Sequence, residues 1–196
     1  MKKYLLLTAI VVLLGQMVPP GTAPKVDASA EEYAVYSAAI ANWLSDQQAP
    51  AKGPFVIPNV TATDAMTSDK VNQGNRYFVA LFPTLKEEVA EDYRTRNKEP
   101  LHLKAAFQLK QKYLVVDSNE IKKIFKRGGW GEFYKRYPDS GGFISVSRPG
   151  FNKEMNQALV FIEHGCGDLC GTGHYILLEK SGDTWKVIQQ NLVWIS

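Results

Sequence analysis

The chain has 196 residues, with 23 basic and 20 acidic side chains and a formal net charge of +3. A charge balance this close to even gives no support to generic nucleic-acid binding, which needs a strongly basic surface. The sequence contains no internal repeat and no low-complexity tract.

Residues 1–30 have the layout of a secretory signal peptide. Two lysines precede an apolar run over residues 4–14, which Gly15 interrupts. That run is shorter than the roughly 20 residues of a membrane-spanning helix, although an uncleaved N-terminal anchor is the alternative. Ala28-Ser29-Ala30 fits the small-x-small rule for cleavage. We therefore expect an exported bacterial protein, periplasmic or extracellular, with one domain over residues 31–196 and no transmembrane segment after cleavage.

The first half of this domain reads mainly as helices. Apolar residues at helical spacing predict an amphipathic helix over residues 31–47. A strand at residues 54–63 contains Pro58, which argues for an edge position or a break. Residues 76–83 fit either a buried strand or a helical turn. Thr84 and Glu87 then match a capping box that opens a helix to about residue 97.

The second half reads mainly as strands. Alternating polarity predicts a half-buried strand over residues 105–116, and a helix follows from Asp117 to a Gly128-Gly129 stop, with a further turn or two beyond. Four strand-like runs complete the chain: FISVSR, QALVFIEH, HYILLEK and TWKVIQQNLVWIS. We expect an α+β fold in which an antiparallel meander of four or more strands, mostly C-terminal, packs its helices on one face. An NTF2-like or cystatin-like cone is the narrower expectation.

The C-terminal half resembles a group of uncharacterised secreted bacterial proteins. The shared pattern is a Gly-Phe-Asn at residues 150–152, a Cys-Gly-x-Leu-Cys-Gly hairpin, and a terminal Trp-Lys-Val strand that ends in Trp-Ile-Ser. The resemblance covers most of the domain and is densest from residue 128 to the C-terminus. It implies export and a common fold, and it implies no reaction, cofactor or catalytic residue.

The segment EHGCGDLCGTGHY, residues 163–175, carries both cysteines and two of the three histidines. His164, Cys166, Cys170 and His174 could form a tetrahedral zinc site, although known sites usually take ligands from two separate knuckles. In an oxidising compartment a Cys166–Cys170 disulfide is favoured, and a free or redox-active pair is the further alternative. The segment is expected to be the loop between strands 157–163 and 174–180, with its glycines providing turn freedom.

Two other candidate sites depend on where the aromatic residues lie. A basic patch interleaved with aromatic residues could bind an anionic surface of the cell envelope; it comprises Lys122, Lys123, Lys126, Arg127, Lys135 and Arg136. The concave face of the sheet could hold a small apolar ligand, lined by Phe107, Tyr113, Phe161, Tyr175 and Trp185. In each case the simpler interpretation is that the aromatic side chains fill the core.

No catalytic motif is present: the sequence has no G-x-S-x-G elbow, P-loop or dinucleotide fingerprint. We therefore expect a non-enzymatic binding or interaction module of the cell envelope or exterior, without a cofactor, and with an envelope component or a small apolar molecule as its partner. The alternatives are a hydrolase- or isomerase-like enzyme using a cavity in the curved sheet, and a metal-binding protein using the His/Cys hairpin.

Overall fold

The computed structural model describes residues 27–46, 52–63 and 75–196. The signal-peptide prediction falls almost entirely on residues outside this part of the chain. No helix among the described residues is long and apolar enough to cross a membrane.

The described residues form four helices and seven strands. In chain order these are α1 Ala30–Ser45, β1 Phe55–Pro58, α2 Asn75–Leu81, α3 Glu87–Arg96, β2 Tyr113–Val116, α4 Ser118–Arg136, β3 Phe143–Val146, β4 Gly150–Phe151, β5 Gln157–Gly167, β6 Cys170–Ser181 and β7 Thr184–Ile195. The strands make one sheet in the order β2-β1-β3-β5-β6-β7, with β4 paired to β5.

The predicted α+β class and the C-terminal meander are confirmed, with two corrections. The sheet is mixed, because β1 pairs in parallel with both β2 and β3, while the remaining pairs are antiparallel. The expectation of helices on one face is wrong. The NTF2-like or cystatin-like cone stays a prediction.

Helices cover both faces because the central strands are apolar on both. Along β5, Val160 packs in the α1 core while its neighbour Leu159 packs with α2 and α3. A third cluster seats α4 against Val56 of β1, on the face opposite α1. A strand buried on both sides reads as a continuous apolar run, as ALVFI at residues 158–162 does.

The predicted first helix is present, and its beginning is fixed by a capping box. The Glu32 backbone N–H donates to Ser29 Oγ at 3.2 Å, and the Ser29 N–H donates to a Glu32 carboxylate oxygen at 2.8 Å. Upstream, the Ala28 N–H donates to the carbonyl of His102 at 3.1 Å. Residues 27–29 therefore contact the domain, and the fold begins before residue 31.

Three local predictions are corrected by tertiary contacts. The helix α3 begins at Glu87 instead of Thr84, because the side chain of buried Gln157 binds the backbone there. Only the last four residues of the predicted strand 105–116 form one; the chain before them lies against α1, where the Gln108 N–H donates to Ser37 Oγ at 2.8 Å. Of the two alternatives for Pro58, the break is confirmed, because β1 ends there, and the edge position is wrong, because β1 is an interior strand. Residues 76–83, for which both interpretations were open, are helical over most of their length as α2.

The predicted break in α4 is confirmed. Gly129 has a φ of 58°, which divides the element into two helical pieces. Asp117 opens the first piece by accepting a hydrogen bond from the Asn119 N–H at 2.7 Å. The second piece brings Trp130, Phe133 and Tyr134 toward the start of β3.

Candidate functional site

A disulfide joins Cys166 to Cys170 at the tip of the β5–β6 hairpin, as predicted, with a Cα–Cα distance of 5.1 Å. The loop between strands β5 and β6 is far shorter than predicted. The strands continue to Gly167 and from Cys170, so that only Asp168 and Leu169 make the turn. The cysteines therefore lie in the paired strands on either side of a two-residue turn, instead of in the predicted loop over residues 164–173.

The glycines of this hairpin have a different role from the one predicted. All four lie in paired strands, and three of them leave space for aromatic rings. A Cβ at Gly165 would come within 2.8 Å of the Phe143 ring, and one at Gly171 within 3.0 Å of Trp194. Gly173 also lies directly beneath Trp194. Close packing, more than turn freedom, therefore explains the absence of side chains at these positions.

The four predicted zinc ligands do not form a metal site. The two sulfurs are bonded to each other, so neither is a thiolate. His174 lies within 3.3 Å of the Gln190 amide through Nδ1, whereas His164 contacts other partners. Within the described ranges, no group of three or more His, Cys, Asp or Glu side chains could hold an ion.

The five aromatic residues predicted to line one pocket are divided between the two faces of the sheet. Phe107, Tyr113 and Trp185 pack with α1, whereas Phe161 and Tyr175 pack with α2 and α3. The sheet lies between the two groups, because neighbouring residues on a strand point to opposite faces. This pocket prediction is therefore wrong, and these rings fill the two cores.

The basic patch occupies the exposed side of α4. Lys122, Lys123, Lys126 and Arg127 are exposed, while Ile121 and Ile124 of the same helix are buried. Two further predicted residues have acidic partners: the Lys135 ammonium lies 3.5 Å from Glu132, and the Arg136 guanidinium lies 3.0 Å from Glu120. The aromatic residues interleaved with the lysines pack inward around Phe133. The arrangement fits a solvated helix face.

A cleft of about 820 Å³ lies beside the disulfide, in a place that no sequence motif predicted. Six segments build its walls: the end of α1, the chain from Lys52 to the start of β1, residues 108–111, Tyr134 of α4, residues 139–141 and the end of β5. Its lining residues are Ala41, Trp43, Leu44, Ser45, Lys52, Phe55, Gln108, Leu109, Lys110, Gln111, Tyr134, Asp139, Ser140, Gly141, His164 and Cys166.

His164 is the ionisable ring at the base of this cleft. Its ring centroid is 4.8 Å from that of Trp43 and 5.7 Å from that of Phe55. Nε2 lies 2.7 Å from the carbonyl oxygen of Gly141, which can only accept, so this nitrogen carries the proton. Nδ1 is then the unprotonated nitrogen, and it lies 3.8 Å from Sγ of Cys166.

Burial lowers the pKa of His164 below its usual value, and the Gly141 carbonyl opposes that shift. The imidazole is therefore neutral at pH 7, with Nδ1 free to accept a proton. Tyr134 completes this corner by donating its hydroxyl to the Cys166 carbonyl at 2.9 Å. The site thus combines aromatic walls, a neutral base and a disulfide sulfur.

The sequence indicated His164 and Cys166 but missed the rest of the cleft. Nothing in the sequence singled out Trp43, Phe55, Lys52 or Lys110 as residues of one site. The segments that line the cleft are distant in sequence, and long-range sheet pairing, for example of Phe143 with Gly165, helps to bring them together. The conspicuous feature of the hairpin, its pair of cysteines, was the only local signal.

Comparison with models of known protein families finds no match, and neither the curated proteins nor the solved structures yield one. The resemblance to secreted bacterial proteins therefore stays a prediction.

Proposed function

We propose that this protein is a binding module that holds a small molecule with an apolar, ring-containing body and one anionic group in the hairpin cleft. The volume of about 820 Å³ carries the proposal, since it falls in the usual range for small-molecule sites. Such sites combine mainly apolar walls with a few placed polar groups.

The apolar wall favours a ring-containing ligand. Trp43, Phe55 and Tyr134 contribute aromatic surface to the cleft, and Leu44 and Leu109 add aliphatic surface. Aromatic rings prefer offset or edge-on contact with other rings, which adds to the burial of apolar area. A planar or alicyclic body is therefore the best match to this lining.

The charges at the cleft favour an anion on the same ligand. Lys52 and Lys110 carry positive charge, Asp139 carries the only opposing charge among the described lining residues, and all three are exposed. Gln108 and Ser45 add hydrogen-bonding groups at the mouth. A single carboxylate or sulfonate would be attracted to this rim while the rings bury the body.

The binding test uses 1-anilinonaphthalene-8-sulfonate, which joins an aromatic body to one anionic group. Ala41→Phe would fill the cleft mouth from α1 and should weaken binding by about tenfold or more, equivalent to about 1.4 kcal/mol. Ala34→Phe makes the same change at an exposed position of α1 outside the cleft and should leave affinity unchanged. Equal affinity in both variants, measured by titration calorimetry, would refute the assignment of the cleft.

The anionic group is tested separately. Lys52→Gln with Lys110→Gln should weaken binding about threefold to tenfold and reduce its salt dependence, because exposed charges contribute modestly. Lys122→Gln with Lys126→Gln removes the same charge from α4, away from the cleft, and serves as the matched control. If both pairs have the same effect, the rim lysines have no specific role and an uncharged ligand fits better.

We propose further that the protein acts outside the cytoplasm, in the periplasm or the exterior. The disulfide supports this location, since such bonds persist in oxidising compartments. The lysines and short apolar run of residues 1–30 support it independently. Fractionation of the native host, with mass measurement of the mature chain, tests it; a full-length chain found only in the cytoplasm would refute it.

A further inference from the structure

The Cys166–Cys170 disulfide lies in a hairpin that is already held together without it. Backbone pairing continues to its tip, with Gly165 opposite Gly171 and Gly167 opposite Cys170. The Ser196 N–H also donates to the Gly171 carbonyl at 3.0 Å, which attaches the chain end to this strand. A ring whose two cysteines are only four positions apart in sequence constrains the unfolded chain little. The fold should therefore tolerate opening of this bond.

The two sulfurs differ in their surroundings. Cys166 lines the cleft, whereas Cys170 is exposed beside the turn. A molecule in the cleft can approach Cys166, and Cys170 is within bonding distance of the same sulfur. This is the arrangement of an attacking thiol with a resolving thiol beside it.

His164 is oriented toward Cys166. Because Nε2 donates to the Gly141 carbonyl, Nδ1 has a free lone pair, and it lies 3.8 Å from the Cys166 sulfur. The sulfur of a disulfide has no proton to donate, so Nδ1 accepts no hydrogen bond from Cys166 in the oxidised protein. A thiol at the same position could donate to Nδ1. A neighbouring base is one of the usual ways in which a thiol is activated.

We propose that the hairpin is a thiol–disulfide exchange site, in which Cys166 attacks a small-molecule disulfide, His164 accepts its proton and Cys170 closes the bond. This inference is independent of which ligand the cleft binds.

The exchange balances without any further reagent. In the reduced protein, the Cys166 thiol transfers its proton to Nδ1 of His164, and the thiolate attacks one sulfur of the small disulfide. A mixed disulfide forms, and the departing thiolate takes the proton back from His164. The Cys170 sulfur, losing its proton to solvent, then attacks Cys166. The second small thiolate leaves and takes a proton from solvent. Two protein thiols are oxidised and one disulfide is reduced to two thiols.

Other charges around the site are few. Lys52, Lys110 and Asp139 line the same cleft, and no charged side chain contributes to the lowered pKa of His164. Burial keeps that imidazole neutral before the transfer and also makes it a weaker base, so the transfer depends on the contact with Cys166. The thiolate–imidazolium pair formed by the transfer would be stabilised by mutual attraction at close range.

The test compares the two thiols one at a time. In Cys170→Ser, the single thiol of Cys166 should react with iodoacetamide with an apparent pKa about one unit or more below the usual value of about 8.5. In Cys166→Ser, the thiol of Cys170 should react with a pKa close to that usual value. Equal pKa values for the two thiols, or a higher value for Cys166, would overturn the proposal. This comparison leaves His164 unchanged, so it does not depend on a histidine variant folding.

The role of His164 is tested in the Cys170→Ser background. His164→Gln should raise the apparent pKa of Cys166 back toward about 8.5, while His174→Gln in the same hairpin should leave it unchanged. Circular dichroism establishes that each variant is folded. If both variants raise the pKa equally, the effect is structural and the assignment of His164 as the base is wrong.

The exchange itself is tested with the reduced wild-type protein and oxidised glutathione. We expect rapid formation of the intramolecular disulfide with release of two equivalents of glutathione, and a slower reaction for His164→Gln. A reaction no faster than that of an unfolded peptide with the same hairpin sequence would overturn the proposal. So would a protein that unfolds when its disulfide is reduced.

Discussion

The imidazoles of His164 and His174 both titrate in surroundings that disfavour their charged forms. Burial lowers the pKa of each below the ordinary value of 6.5, and the opposing influences are the Gly141 carbonyl for His164 and the charge of Asp46 for His174. Below about pH 6.5 the unfolded chain therefore binds more protons at these positions than the folded chain does. The free energy of unfolding should rise with pH across this window and level off above it.

We expect the protein to be less stable at pH 5.5 than at pH 7.5, with the difference reduced in a His164→Gln, His174→Gln double variant. Hydrogen bonds from Lys104 and Lys180 also lower the pKa values of Asp27 and Glu31, but the ordinary pKa values of these carboxyl groups, 3.8 and 4.5, already lie below this window. Urea denaturation at the two pH values measures the effect. A wild-type protein that is equally stable at both, or more stable at pH 5.5, would contradict the prediction.

At the residue scale, the sequence predicted which residues of the hairpin are important better than it predicted what each of them does. Cys166 and Cys170 are bonded as expected, because two cysteines four residues apart in a reversing chain have few other partners. The role of Gly173 was missed, because Trp194 reaches it only across the β6–β7 pairing. A side chain that occupies the space above a glycine leaves no local signal in the sequence.

Among the elements, α3 begins in an unusual way. Its first turn has no side-chain cap of its own, and a distant residue replaces that cap: Oε1 of buried Gln157 accepts from the Lys86 N–H at 2.8 Å. Nε2 of the same side chain donates to the Thr84 carbonyl at 3.1 Å and to Glu179 at 3.1 Å. Removal of this amide would leave the partly buried Lys86 N–H and Thr84 carbonyl without these partners.

Gln157→Leu should therefore lower the free energy of unfolding by about 1–3 kcal/mol, the usual cost of an unsatisfied buried polar group. Thr84→Ala is the matched control: a capping box would make it cost about 1 kcal/mol, but its side chain is exposed and we expect almost no change. Urea denaturation of both variants measures the difference. A Thr84→Ala variant that is the less stable of the two would restore the capping box and refute the role of Gln157.

The beginning of α1 leads to a prediction about processing. Cleavage after Ala30 would remove the Ser29 cap, the Ala28 hydrogen bond to His102, and the contacts of Asp27 with His102 and Lys104. A chain beginning at Glu31 should be less stable than one beginning at Asp27 by about 1–2 kcal/mol, mostly from the lost cap. We therefore expect the mature N-terminus to lie at or before Asp27. Denaturation of the two recombinant chains and N-terminal sequencing of native material test this; a native start at Glu31 would contradict it.

The helices and strands could be predicted where the sequence signal comes from neighbouring residues. The amphipathic spacing of α1 and the glycine break in α4 depend on neighbouring residues, and both are present. The alternation over residues 105–112 was misleading, because an irregular segment lying on α1 buries Phe107 in the same alternating way. In its middle, the Gln108 N–H donates to the Ser37 side chain of α1 instead of to a neighbouring strand, and no pattern within the segment distinguishes the two cases.

For the whole molecule, the α+β fold class could be predicted from the sequence, but the order and pairing of the strands in the sheet could not. The C-terminal meander follows from consecutive strands with short connections, such as the turn at Gly182. The parallel pairing of β1 joins Phe55 to Tyr113 and Val56 to Phe143, residues far apart in sequence. This long-range pairing places Phe55 next to His164, so the candidate site could not be predicted without the topology.

The two main cores share the strands β5 and β6, and this arrangement should make the described domain one cooperative unit. Val160 and Ile176 belong to the α1 core, while Leu159 and Leu177 alternate with them in the core under α2 and α3. A change that loosens one face must disturb the strand that also supports the other. Trp43 and Trp185 lie in the α1 core, whereas Trp130 packs in the cluster of α4 and Trp194 lies on β7. In a Trp130→Phe, Trp194→Phe background, which is used for the following test, tryptophan fluorescence therefore reports on the face away from α3.

Leu159→Ala should lower the free energy of unfolding by about 2–5 kcal/mol, the usual cost of a cavity at a fully buried leucine. Because the strand is shared, tryptophan fluorescence and far-ultraviolet circular dichroism should show the same reduced urea midpoint, although the cavity lies across the sheet from Trp43 and Trp185. Val160→Ala provides the matched change on the α1 face and should also shift both signals together. Separate midpoints in Leu159→Ala, with the fluorescence transition unmoved, would mean that the two cores unfold independently.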